Sequence, residues 1–166
     1  MENDKTQPET QAQRLEQVLH QLEVELQKPS AAQRFHHRAG ESEWSAMQIL
    51  GHMLEMIPYW LLDCQAIIAA TTDQPLKFGR GEDAPERLEG VESVANKTPQ
   101  EVLPLLRQEI TTATQSIRAM SPAEREKKGI HIRQGEITVA DIIENVIVAH
   151  AEAHLGQIDK ALQAAI

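Results

Sequence analysis

With 166 residues, 41% of them hydrophobic, the chain can bury one sizeable core but is too short for two comfortable domains. Its 25 acidic and 16 basic residues leave a net charge of −9, which argues against a nucleic-acid backbone or an anionic membrane surface as partner. One cysteine excludes an internal disulfide and fits a reducing cytoplasm, and no apolar run reaches the length of a membrane span. Since Met1-Glu2-Asn3-Asp4-Lys5 also lacks a hydrophobic signal region, a soluble cytoplasmic protein is expected.

Residues 1–9 read as a polar, disordered lead, and 10–166 as a single domain. From about Thr10 to Lys28, Leu15, Val18, Leu19, Leu22 and Leu26 recur at helical spacing, and Pro29 ends the run. The stretch to Glu43 carries His36-His37 in a polar, Gly-containing loop, where adjacent histidines are expected to face solvent. Ser45 and Gln48 have the spacing of a reciprocal capping box and start a second helix over Ala46 to Ala70. Pro58 inside it removes a backbone hydrogen bond and predicts a kink, which either opens the bundle or only wraps the helix around the core. Cys64, in the same apolar helix, reads as a small buried hydrophobe rather than a nucleophile.

From Thr71 to Lys97 the chain is rich in Gly, Pro and charge, with Phe78 and Leu88 as scattered anchors. So long a connection suits a crossover between helices that are not sequential antiparallel neighbours, or a lid over an active site. Thr98, Pro99 and Glu101 start a third main helix that extends to about Met120. Ser121-Pro122-Ala123-Glu124 repeats that start for a short helix ended by Gly129. Ile130-His131-Ile132-Arg133 and Ile137 alternate around Gln134-Gly135, which predicts a small hairpin with His131 on its exposed face. Thr138 and Asp141 cap a fourth main helix that runs to the chain end. The fold class is all-α, a four-helix bundle with minor short elements.

On that fourth helix, His150 and His154 are one turn apart and project from the same face. Seven histidines in 166 residues would give about a quarter of such a pair by chance, so spacing alone does not carry a site. Position does: the apolar stripe runs Ile143, Ile147, His150, His154, Ile158, Ala161, which puts both imidazoles where a core wants aliphatic groups. His52, between Ile49-Leu50-Gly51 and Met53-Leu54, is inward in the same way on the second helix. Three inward histidines on two helices are the donor set of an open metal site.

Trp44-Ser45 followed by Leu50-Gly51-His52-Met53, and later His150-xxx-His154-x-Gly156-Gln157, resembles the DinB/YfiT-like superfamily of metal-dependent enzymes. The resemblance spans roughly Leu15 to Leu162. It implies a bundle with up-down-down-up connectivity, a long helix 2 to helix 3 crossover, and a divalent metal, zinc or nickel with iron as a further candidate, on His52, His150 and His154. It also implies a homodimer and a chemistry based on low-molecular-weight thiols.

Neutral imidazoles suit such ions and leave coordination positions open, so a thiol or a water could be activated there. The expected function is therefore thiol transfer to a small electrophilic substrate; the alternatives are water activation in a hydrolase, and a metal-binding or stress-response protein without catalysis. Glu55, one turn beyond His52, is the candidate for orienting a ligand or acting as general base, or else it belongs to the rim. Gln157 could reach the metal site or the opposing helix, Gly156 would let helices approach closely, and Trp44 and Trp60 would wall the pocket. Protonated imidazole cannot ligate, so metal should leave as the pH falls through about 6.5.

Overall fold

The computed structural model of the chain describes residues 4–164. Helix α1 (Pro8–Gln27) starts inside the stretch read as a lead, because Pro8 sits in the first turn, where its missing N–H costs nothing. That lead is described from Asp4, and residues 1–3 lie outside the described residues. Helix α2 (Ala46–Ala69) is continuous through Pro58. Its start is the expected capping box: Gln48 N–H donates to Ser45 Oγ at 3.2 Å and Ser45 N–H to Gln48 Oε1 at 2.9 Å. Then come β1 (Leu76–Phe78), α3 (Pro85–Ser93), α4 (Pro99–Ala119), α5 (Pro122–Arg125), β2 (Lys128–His131) and β3 (Gly135–Thr138). The last helix, α6, opens with an α turn (Val139–Asp141), winds as π-helix over Ile142–Val148, and continues as α-helix over Ala149–Gln163.

Ion pairs and hydrogen bonds give the helix directions. Glu9 and Glu16 of α1 hold Arg118 and Glu23 holds Arg107, so α4 runs antiparallel to α1. Arg14 bridges Glu144 and Glu152, while Arg34, just beyond α1, donates to the carbonyls of Leu162 and Ala164, so α6 runs parallel to α1. Lys127 donates to the Ile68 carbonyl and its own carbonyl accepts from Val139 N–H, which brings the end of α2 to the start of α6. Helices α2 and α4 are therefore parallel, and the order is up-down-down-up. Since α1 and α2 each pack against both α4 and α6, they occupy opposite corners of the bundle. The apolar stripes meet in one core, with Leu15, Leu22, Leu50, Met53, Ile57, Leu106, Ile110, Ile117, Ile143 and Ile147 all at or below 1% exposure. Each such side chain stabilises the fold by about 1.5–3 kcal/mol relative to an exposed one.

Parallel α2 and α4 require the chain to return the length of the bundle, which is the work of residues 70–98. The sequence showed no period there, yet the segment contains β1 and α3. Strand β1 adds in parallel to β2, which pairs antiparallel with β3, so the expected hairpin is part of a three-stranded sheet. Gly129 is not a helix stop but a β2 residue; a Cβ there would lie 2.7 Å from Ile67 and 2.8 Å from Phe78. Helix α3 lies on the first half of α2 through a glycine-on-glycine contact, in which a Cβ on Gly51 would stand 2.6 Å from the Gly90 carbonyl oxygen.

Two side-chain expectations are corrected. His131 is 5% exposed, because the alternation in β2 was read with the wrong polarity: the Gly129/His131 face is covered by Trp60 and Phe78, while Ile132 points outward. Gly156 has open space where a Cβ would go, so it permits no close helix contact. Cys64 is fully buried, and burial pushes its thiol up to about 12, as befits a core residue. Of the loop pair, His36 is exposed and His37 half-buried, and neither joins the other histidines described below.

Candidate metal centre

The glycine contact at Gly51 leaves the next residue, His52, turned into the bundle against α6. His52 is 2% and His154 6% exposed, and His150 is half-buried. One ligand atom from each of His52, His150 and His154 can be chosen such that all lie within 4.8 Å of one another. His52 meets His154 edge-to-face, with ring centroids 4.8 Å apart, and the centroids of His150 and His154 are 4.4 Å apart.

Hydrogen bonds orient two of the rings. His154 Nδ1–H donates to Gln157 Oε1 at 2.8 Å, and His150 Nδ1–H donates to the Val146 carbonyl at 3.2 Å. Each assignment leaves Nε2 as a free lone pair, the state a metal ligand needs. The orienting groups are thus an amide and a carbonyl, not Glu55, the acid that the sequence put forward. Val146 belongs to the π segment of α6, and π turns inside α-helices recur at functional sites.

Both nitrogens of His52 and Nε2 of His154 are buried without any hydrogen-bond partner. Each such group costs about 1–3 kcal/mol if left unsatisfied. A single ion between the rings would serve all three histidines at once, and neutral imidazole nitrogens are the right donors for it. The residues therefore fit a divalent metal. Burial first, then the neighbouring histidines, lowers the pKa of His52 to about 2; burial and His150 lower His154 to about 4. Burial also lowers His150. All three rings are neutral near pH 7.

Around them, His154 opens onto a cavity of about 550 Å³ lined by Trp44, Ile49, Arg87, Gln157 and Lys160, among others. His52 and His150 line a second of about 130 Å³, with Trp60, Arg80, Arg87 and Arg133. The two tryptophans wall the site as expected, Trp44 lying 5.3 Å from the His52 ring. Glu55 is engaged elsewhere: its two oxygens take Arg80 Nη1 and Nη2, each at 2.5 Å. Arg80, stacked 3.8 Å over Tyr59, and Arg87 were missed by sequence reasoning, because only the course of the crossover brings them to the triad.

A helical bundle with a buried histidine triad on α2 and α6 defines the class of protein. The DinB superfamily profile matches residues 9–158, and the chain belongs to that superfamily. Among solved structures it is similar to YfiT from Bacillus subtilis, described as a probable metal-dependent hydrolase with an unusual four-helix bundle topology. That match has a TM-score of 0.74 at 17% identity and covers 97% of this chain and 89% of the other. No curated protein matches the sequence. Among the described residues, no helix is long and apolar enough to cross a membrane.

Proposed function

We propose that the protein is a divalent-metal-dependent enzyme in which His52, His150 and His154 hold the ion and a low-molecular-weight thiol attacks a small electrophile beside it. The carrying observation is that His52 and His154 keep buried ring nitrogens without partners while one ligand atom from each of the three histidines lies within 4.8 Å of the others. Zinc and nickel suit three neutral imidazoles, with iron as a further candidate. A bound ion would supply a Lewis acid that lowers the pKa of a thiol or water at an open position. The protein supplies the rest. Gln157 and the Val146 carbonyl hold two ligand tautomers, Trp44 and Trp60 confine the substrate, and the cavity beside His154 admits it.

Thiol chemistry is favoured over hydrolysis by the position of Glu55. With both oxygens held by Arg80 it positions that arginine, and proton transfer from water to it would have to compete with that ion pair. A thiol, with an ordinary pKa near 8.5, needs far less activation than water. Hydrolysis is the second reading, supported by the fold likeness to YfiT. The homodimer implied by the sequence resemblance belongs to the same proposal, and sedimentation velocity tests it.

Elemental analysis of untagged protein should find about one metal per chain, lost in His150→Ala and His154→Ala. Turnover of an alkylating electrophile by the loaded protein should then require added thiol. Turnover of an ester without thiol would select the hydrolase reading, and a parent that can be neither purified with metal nor reloaded would sink both.

A further inference from the structure

Arg87 stands in the first turn of α3 and borders both cavities beside the triad. Its Nη1 donates to the Glu82 backbone carbonyl at 2.7 Å, and its guanidinium carbon lies 5.0 Å from the Trp44 ring centroid. These contacts hold the side chain in place without neutralising it. Among the described residues no carboxylate forms an ion pair with Arg87, whereas Arg80 is paired with Glu55 and Arg133 with Glu82. The group is half-buried, and burial lowers its pKa even though the Glu82 and Glu55 carboxylates pull the other way.

A guanidinium fixed by its stacking face and one N–H still presents other N–H donors in a fork that matches a carboxylate or phosphate. We propose that Arg87 anchors an oxyanion, carboxylate or phosphate, of a small substrate whose reacting atom lies at the histidine triad. The proposal rests on the metal-enzyme reading for the role of the triad, but not for the anion contact itself. The larger cavity, at about 550 Å³, has the size of a small-molecule site, and its apolar lining of Ile49, Ala161 and Trp44 would carry the uncharged part of the ligand. The distance problem that a reactive thiol or electrophile faces, being held near the ion rather than merely in the cavity, is what a second fixed point solves.

Calorimetric titration with succinate, inorganic phosphate and neutral succinamide, on chelator-stripped and on zinc-loaded protein, tests the anchor. Succinate or phosphate should bind the parent in both forms and succinamide should not, and the preferred anion assigns the oxyanion as carboxylate or phosphate. Arg87→Gln should weaken anion binding by about tenfold or more, the loss expected for hydrogen bonds to a charged group. Arg87→Lys, which keeps the charge without the fork, should fall between, and Arg107→Gln on the far α4 surface should match the parent. Circular dichroism confirms that the variants fold. Equal binding by Arg87→Gln and parent, absence of anion binding by the parent in both forms, or succinamide binding as tightly as succinate would each overturn the proposal. Elemental analysis of the same samples reads the triad separately. A parent that takes no zinc yet binds succinate through Arg87 would overturn the metal reading while supporting the anchor.

Discussion

Burying an imidazole with neither nitrogen paired places opposing demands on His52. As a core residue it is poorly chosen, since its two unsatisfied nitrogens penalise the fold by about 1–3 kcal/mol each. As a ligand it is well placed, because burial keeps the ring neutral. The two roles separate on substitution. His52→Leu, close in volume and apolar, should lose the metal yet raise the melting temperature of the chelator-stripped protein. The expected gain is roughly 2–4 °C for each kcal/mol recovered at this chain length. A lower melting temperature in the stripped variant would mean that the His52 ring is satisfied without an ion.

At the scale of elements, the decisive contact is α3 on α2. Gly51 has no Cβ, so the carbonyls of Gly90 and Val91 come to within 2.6 and 2.9 Å of where one would be. Those are backbone atoms, which cannot turn aside, so Gly51→Ala must push α3 away. We expect a loss of about 1–3 kcal/mol in urea denaturation, the usual scale of overpacking. Because Arg87 rides on α3, succinate binding should weaken in the same variant even though residue 51 touches no ligand. A stability and an affinity equal to those of the parent would show that α3 has room to yield. Gly129 does the same for the sheet, allowing Ile67 and Phe78 to close over β2.

For the molecule as a whole, the buried rings set the acid limit. In the unfolded chain histidine titrates near 6.5. In the folded, metal-free protein His154 is held at about 4 and His52 at about 2. Between these values the unfolded chain binds protons that the folded one does not, so stability falls as pH drops below about 6.5 and continues to fall toward 4. Urea midpoints of stripped protein should therefore be lower at pH 5 than at pH 7, and zinc should raise both. The same lowered pKa values weaken proton competition for the ligands. Metal release, expected from the sequence near pH 6.5, should therefore be found at more acid pH when zinc-loaded protein is titrated.

Local signals and long-range ones were unequally legible. The four helices announced themselves by stripes of period 3.6 and by capping residues, and His52, His150 and His154 by standing on those stripes. Helix α3 and strand β1 are too short to show a period, and they exist because α2 gives α3, and β2 gives β1, something to pack on. His131 was misplaced because alternation gives two faces and not which one is covered. Arg80 and Arg87 carried no local mark of proximity to the triad, since the fold alone brings residues separated by some seventy positions to one point.

The π segment of α6 makes chain length itself a determinant of the site. Residues 142–148 wind more slowly than an α-helix, so the helix beyond them is out of phase with the helix before. One residue of α-helix corresponds to about 100° of rotation. Seven residues of π-helix turn about as far as six of α-helix, so relaxation of the intact segment to α geometry would swing the His150 and His154 pair by about one such step relative to the capped start at Thr138, whereas loss of an exposed residue such as Asn145 would let the segment become α-helix with the pair still in phase. The extra residue thus keeps the histidines in register only while the π winding holds, a dependence that no inspection of ligand identities would register.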